Sequence, residues 1–127
     1  MIYVTPQEIL VIHAQIIDET GGAHGVRDVG LLESASHRPK TVFGGKELYQ
    51  GVFAKAGAYL EAFVRYHAFV DGNKRTGIAV AGRFLYTNRY ELAATNVELE
   101  KFVLRVAVQR LEVPAIAAWL KQRAKKR

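Results

Sequence analysis

At 127 residues, half of them hydrophobic and 24% charged, the chain has the length and balance of one globular domain with a buried core, expected to span 1–127. It contains no cysteine, which excludes a disulfide framework and a thiolate zinc site, and no apolar run of membrane length. The formal net charge of +6 belongs to the tail "KQRAKKR": without those five cations the balance is 13 basic against 12 acidic residues, a net of +1. A near-neutral body argues against nucleic acid as the partner. Residues 121–127 are expected as a solvated helix end whose cations suit the helix dipole, with a polyanion-binding arm as the alternative. The start "MIYVTPQEILVIHAQ" lacks a basic leader and a cleavage site, so a cytoplasmic protein with no membrane partner is expected.

In chain order, "TPQEILVIHAQIIDETGG" carries helix punctuation: Thr5 suits the N-cap, Pro6 the first turn, Glu8 the return bond of a capping box, and Gly21 or Gly22 the stop. Ile9, Ile12, Ile16 and His13 fall on one face, where His13 reads as a half-buried face residue and not as a ligand. A glycine-punctuated loop follows, then a short helix capped by Asp28 and ended by Pro39. "TVFGGKELY" places apolar or aromatic residues on both sides of Gly44-Gly45, a two-residue hairpin signal. One hairpin cannot carry a sheet-based core, so it must lie on helices or project as a flap.

"GVFAKAGAYLEAFVRYH" and "KRTGIAVAGRFLYTNRY" are apolar almost all round, the mark of buried helices. Ala54, Ala56, Gly57 and Ala58, with Ala79, Ala81 and Gly82, would let the two approach closely as a central hairpin. Thr95 and Glu98 are spaced as a capping box for the next helix. A last helix opens at Pro114, with Ile116, Trp119 and Leu120 on its inner face. The expected fold is therefore all-α, a helical bundle with a central helix hairpin and one small β-hairpin.

The bend of that helix hairpin, "HAFVDGNKRT" at 67–76, packs a base, an acid, a turn and two cations into ten residues. Gly72 permits positive φ, and the amides of Gly72 to Thr76 would open a helix with the positive end of its dipole behind them, which is an anion site before any side chain contributes. Lys74 and Arg75 add charge, and Arg75 can grip phosphate oxygens in pairs. Asn73 can bond a phosphate or brace the loop. Asp71 suits magnesium, which takes one or two carboxylates plus substrate phosphates. His67 is the candidate general base. The constellation points to phosphoryl-type transfer; a plain polar turn with solvated cations is the alternative from spacing alone.

The decapeptide resembles the core motif of the Fic/Doc (Fido) superfamily, His-x-Phe-x-(Asp/Glu)-Gly-Asn-(Gly/Lys)-Arg, at His67, Phe69, Asp71, Gly72, Asn73, Lys74 and Arg75. "HGVRDVGLLESASHRP" is similar to the N-terminal segment of the Doc-type, or "death on curing", toxin branch, and the resemblance covers essentially the whole chain. Two positions depart from the adenylylating members. Lys74 stands where they carry glycine, and Ile78 where they carry a second arginine. A lysine there resembles Doc, in which ATP is understood to bind reversed, so that the γ-phosphate is transferred.

The resemblance implies a toxin of a toxin–antitoxin system: an ATP- and Mg²⁺-dependent protein kinase acting on a threonine of elongation factor Tu and blocking translation. It implies His67 as the base, Asp71 as the Mg²⁺ ligand, and Gly72, Asn73, Lys74, Arg75 and Thr76 around the phosphates, with Phe69 as a buried anchor. The hairpin Val42, Phe43, Gly44, Gly45, Lys46, Glu47, Leu48 and Tyr49 corresponds to a target-docking flap that pairs with an extended segment as an added strand; a hairpin that merely covers the core is the alternative. No Ser/Thr-x-x-x-Glu inhibitory pattern is found at Ser34 or Thr95, so restraint by a separate Phd-like antitoxin is expected. The alternatives are a nucleotidyltransferase attaching AMP, and a catalytically silent antitoxin-binding module.

Overall fold

A computed structural model describes residues 1–127. Helix α1 (Pro6–Thr20) opens with the expected capping box between Thr5 and Glu8 and stops at Gly21. Its buried line is Ile9, His13 and Ile17, spaced i, i+4. His13 is therefore fully inside and not half-buried, while Ile12 and Ile16 flank the seam. Helix α2 (Val29–His37) is capped by the Asp28 carboxylate, which accepts from the Leu31 amide. A 3₁₀ turn (Arg38–Lys40) around buried Pro39 leads into the hairpin β1 (Val42–Phe43) and β2 (Lys46–Glu47). Gly44 and Gly45 both have positive φ, as a primed two-residue turn demands.

Helix α3 (Val52–Tyr66) is the axis of the molecule: every residue from Lys55 to Val64 is buried. Helix α4 (Asn73–Thr87) packs along it, but the expectation of burial all round fails there. Only Asn73, Thr76, Gly77, Val80, Ala81, Phe84 and Leu85 are buried, because the sequence interrupts the apolar run with Arg83 and Tyr86 on the outer side. The close approach is made at Gly77, where a Cβ would lie 3.1 Å from Leu60 Cδ1. Gly57 serves the opposite face of α3: a Cβ there would lie 3.3 Å from the Val113 carbonyl at the start of the last helix. Helices α5 (Asn96–Val108, with the Thr95–Glu98 capping box) and α6 (Val113–Arg123) close the bundle. A buried cluster of 21 side chains draws on all six helices. Trp119 stacks on Phe102, centroids 3.9 Å apart, as part of that packing.

The fold is all-α as expected, and it carries one sheet more than the sequence suggested. Strand β3 (Tyr90–Leu92) pairs antiparallel with β4 (Ala124–Lys126). The basic tail is thus a helix end only as far as Arg123. Beyond it the chain turns extended, the Arg127 amide donates to the Arg89 carbonyl, and the Arg127 guanidinium lies 3.7 Å over the Tyr86 ring. No helix is long and apolar enough to cross a membrane.

Candidate active site at the α3–α4 bend

Helix α3 ends at His67, which takes a left-handed conformation (φ 50, ψ 52) and turns the chain outward. The carbonyls left over at that terminus are capped by an arginine from the N-terminal third. Arg27 Nε donates to the His67 carbonyl at 2.6 Å and Nη2 to that of Tyr66 at 3.0 Å. Around it, residues 25–28 lie antiparallel on 68–70: the Arg27 and Asp28 amides donate to the Ala68 carbonyl, the Val70 amide donates to that of Gly25, and Val26 bridges to Phe69. The imidazole of His67 is exposed and makes no hydrogen bond within the protein.

Phe69 is buried and anchors the loop, its ring stacked on His13 with centroids 3.8 Å apart and planes 6° from parallel. His13 Nε2–H donates to the Asp71 carbonyl at 2.8 Å, which fixes its tautomer. Asn73 closes the same loop from the other side: its Oδ1 accepts from the Phe69 amide and its Nδ2 donates to the Phe69 carbonyl, both at 2.9 Å. Of the two roles the sequence left open for the Asn73 side chain, bracing the loop occupies both of its polar groups. Gly72, with φ 76, makes the final turn into α4.

Beyond it the amides of Asn73, Lys74 and Arg75 have no acceptor in the protein, while the Thr76 amide donates to the Gly72 carbonyl. Three free donors at the positive end of a helix dipole form an anion site. Thr76 is the member of the expected set that the structure turns away, since its side chain is completely buried. Lys74 and Arg75 are exposed, and neither has a carboxylate within 4.0 Å. His67, Val70, Asp71, Gly72, Asn73, Lys74 and Arg75 together line a surface cavity of about 450 Å³. The base, the carboxylate and the cations expected from the sequence thus face one space.

Asp71 Oδ2 accepts from the Ala23 amide at 2.8 Å, and its other oxygen has no protein partner. No group of three His, Cys, Asp or Glu side chains gathers anywhere in the molecule, so there is no all-protein metal cage. One available carboxylate oxygen beside an anion site is the donor set with which Mg²⁺ is held together with substrate phosphates, and the residues fit that ion.

The hairpin is tied to the same framework. Its two strands pair only with each other, so each offers a free edge. Buried Lys55 donates to the Tyr49 carbonyl and, at 3.1 Å, to Glu47 Oε2. Arg38 donates to the hydroxyls of Tyr49 (2.7 Å) and Tyr66 (2.8 Å) and pairs with Glu61. Tyr49 is consequently a buried root of the hairpin and not part of its outer surface. Sequence reading missed His13, Ala23, Arg27, Lys55 and Arg38. For His13 the available signal was the i, i+4 spacing of Ile9, His13 and Ile17; for the others there was none short of the fold.

Residues 3–85, which hold the bend and everything that braces it, match the model of the Fic/DOC family. The chain belongs to that family. Within it the chain is similar to the "Toxin Doc" of Mycolicibacterium smegmatis, 42% identical over 102 residues that cover 79% of this chain and 78% of that protein. It is also similar to the "Protein kinase doc" of Escherichia phage P1, 29% identical over 122 residues, 96% of this chain and 95% of that one.

Proposed function

We propose that the chain is a Doc-type toxin that transfers the γ-phosphate of ATP to a serine or threonine hydroxyl of a translation factor, elongation factor Tu, and that a separate Phd-like antitoxin restrains it. The observation that carries this reading is the pairing of exposed His67 with the free amides and unneutralised cations of the α4 N-terminus around one cavity. The name of the phage relative, a protein kinase, supports the choice of phosphate over AMP, and that of the other relative supports the toxin reading.

The residues divide the work as follows. Arg27 holds the His67 backbone, so that the imidazole faces the incoming hydroxyl. The lone-pair nitrogen of His67 takes the hydroxyl proton as the hydroxyl oxygen bonds to the γ-phosphorus. The bond from that phosphorus to the β,γ-bridging oxygen breaks, and ADP leaves. The amides of Asn73, Lys74 and Arg75, with both side-chain cations, stabilise the charge on the transferred group. Asp71 would hold Mg²⁺, which supplies charge neutralisation of the phosphate oxygens when bound. The outer edge of the hairpin around Val42 and Phe43 takes an extended target segment as an added strand.

The test is the intact mass of elongation factor Tu after incubation with the protein, ATP and Mg²⁺. A gain of one phosphate, lost with His67→Ala, is expected. A gain of one AMP unit would replace the kinase with a nucleotidyltransferase, and no gain from either would remove this acceptor.

A further inference from the structure

One side chain outside the bend joins the hairpin to the residue before His67. Arg38 stands in the 3₁₀ turn between α2 and the hairpin, and each nitrogen of its guanidinium has a different partner. Nε donates to the Tyr49 hydroxyl at 2.7 Å, Nη1 to the Tyr66 hydroxyl at 2.8 Å, and Nη2 to Glu61 Oε1. The guanidinium carbon lies 5.5 Å and 5.8 Å from the centroids of those two tyrosine rings. Both tyrosines are held at a second point. The Tyr49 carbonyl accepts from buried Lys55, and the Tyr66 carbonyl from Arg27, which also holds that of His67. The Arg38 carbonyl accepts from the amide and hydroxyl of Thr41, whose own carbonyl accepts from the Leu48 amide and closes the hairpin at its base. Glu61, 4% exposed, turns its other oxygen to Arg65 at 3.7 Å, and Arg65 shares a cavity of about 170 Å³ with His67 and Lys74.

We propose that Arg38 is a positioning residue: by holding Tyr49 and Tyr66 at once it sets the hairpin, and a target segment docked on it, at a fixed place relative to His67. The proposal rests on the reading of His67 as the base and of the hairpin as the docking edge. Stability does not explain the arrangement. A buried ion pair is often replaced by packed apolar side chains without loss, whereas a planar fork of donors fixes three groups in one geometry. Nor does apolar packing fix the hairpin, since all its residues from Val42 to Leu48 are exposed and only Tyr49 is buried. Lys55 grips the same root at the Tyr49 carbonyl and at Glu47, so the tilt of the hairpin about that root is left to the Tyr49 phenol. Tyr66 ends α3 directly before His67, and the guanidinium that sets the hairpin therefore also sets the last turn that presents the base. Such alignment matters because a misplacement of about 1 Å in the reacting groups costs on the order of 100-fold in rate.

The experiment removes one hydroxyl at a time from the full chain, with Tyr49→Phe and Tyr66→Phe, which keep both rings. By NMR, Tyr66→Phe is expected to shift the amides of Gly44 and Gly45, and Tyr49→Phe the imidazole of His67, each across the Arg38 link. In phosphate transfer to the protein acceptor, each variant is expected to lower kcat about tenfold with KM for ATP within about twofold. The double variant is expected to lose no more than about twofold beyond either single one, since both cut the same link. Arg38→Lys is expected to match the single variants, because one point charge does not hold both phenols. NMR shifts confined to the neighbours of each changed ring would overturn the proposal, as would additive losses of about a hundredfold in the double variant. An unchanged kcat with a lower unfolding midpoint would also overturn it and make Arg38 a fastener of the fold alone. Shifts across the link in a parent chain that transfers no phosphate would remove the phosphotransfer reading and leave the link between hairpin and His67 standing.

Discussion

Gly72 and Arg27 show how single residues hold the bend. The φ of 76 at Gly72 lies in the left-handed region, and a Cβ there would sit 3.0 Å from Ile17 Cδ1. Gly72→Ala is expected to cost about 1–2 kcal/mol from the backbone alone, read as a lower midpoint in urea unfolding; an unchanged midpoint would refute the strain. Arg27 bonds two carbonyls of the α3 terminus at once, which a lysine cannot do with one point charge. Arg27→Gln is expected to lower kcat about tenfold with KM for ATP within twofold, and Arg27→Lys to recover little of it. A matching rise in KM, with kcat intact, would show that Arg27 serves binding and not the placement of His67. The histidine, carboxylate and cations of the bend were legible in the sequence because they lie within ten residues. Phe69 and Asn73, which brace them from within the same stretch, were legible with them; Arg27 and His13 were not, because they reach the loop only through the fold.

Among the elements, the hairpin and the two central helices differ in how openly the sequence announced them. Gly44-Gly45 between apolar residues gave the hairpin turn to the residue, since both positions need positive φ. The burial of α3 was equally plain, whereas α4 shares its composition and yet buries one face. Composition does not say how many neighbours a helix has, and α4 meets solvent on the side of Arg83 and Tyr86. Inside α3 the buried Lys55 has a purpose no periodicity reveals: it clamps the hairpin through Glu47 and the Tyr49 carbonyl. Lys55→Met is expected to leave that carbonyl unpaired at a cost of about 1–3 kcal/mol and to speed tryptic cleavage after Lys46. Equal cleavage rates in parent and variant would show that the hairpin is held by other means.

At the scale of the whole molecule, the N-terminal segment before α1 is fastened to the central helix by one buried phenol. Tyr59 is inaccessible to solvent, accepts from the Val4 amide at 3.1 Å and donates to the Val4 carbonyl at 3.3 Å. Burial pushes its pKa up from the usual 10 to about 12. The fold thus favours the neutral phenol, so this stability is complete below pH 10 and is lost as pH rises through 12, about 3 kcal/mol in all. Unfolding free energies measured across that window should fall more steeply in the parent than in Tyr59→Phe; parallel curves would assign the loss to other groups. The β3–β4 sheet was the architectural feature least legible in the sequence. "AKK" has no strand pattern, and only the arrival of the C-terminal chain beside Tyr90–Leu92 makes it one.

The construction of the hairpin has an evolutionary consequence. Its shape is kept by two glycines, by backbone pairing and by roots at Lys55 and Tyr49, whereas Val42, Phe43 and Leu48 are 61, 79 and 52% exposed and add nothing to the core. Changes at those three positions carry only the roughly ±0.5 kcal/mol of ordinary surface substitutions. On the proposed function, the address a toxin reads can therefore drift, or be reselected in a library, while the chemistry at the bend stays untouched.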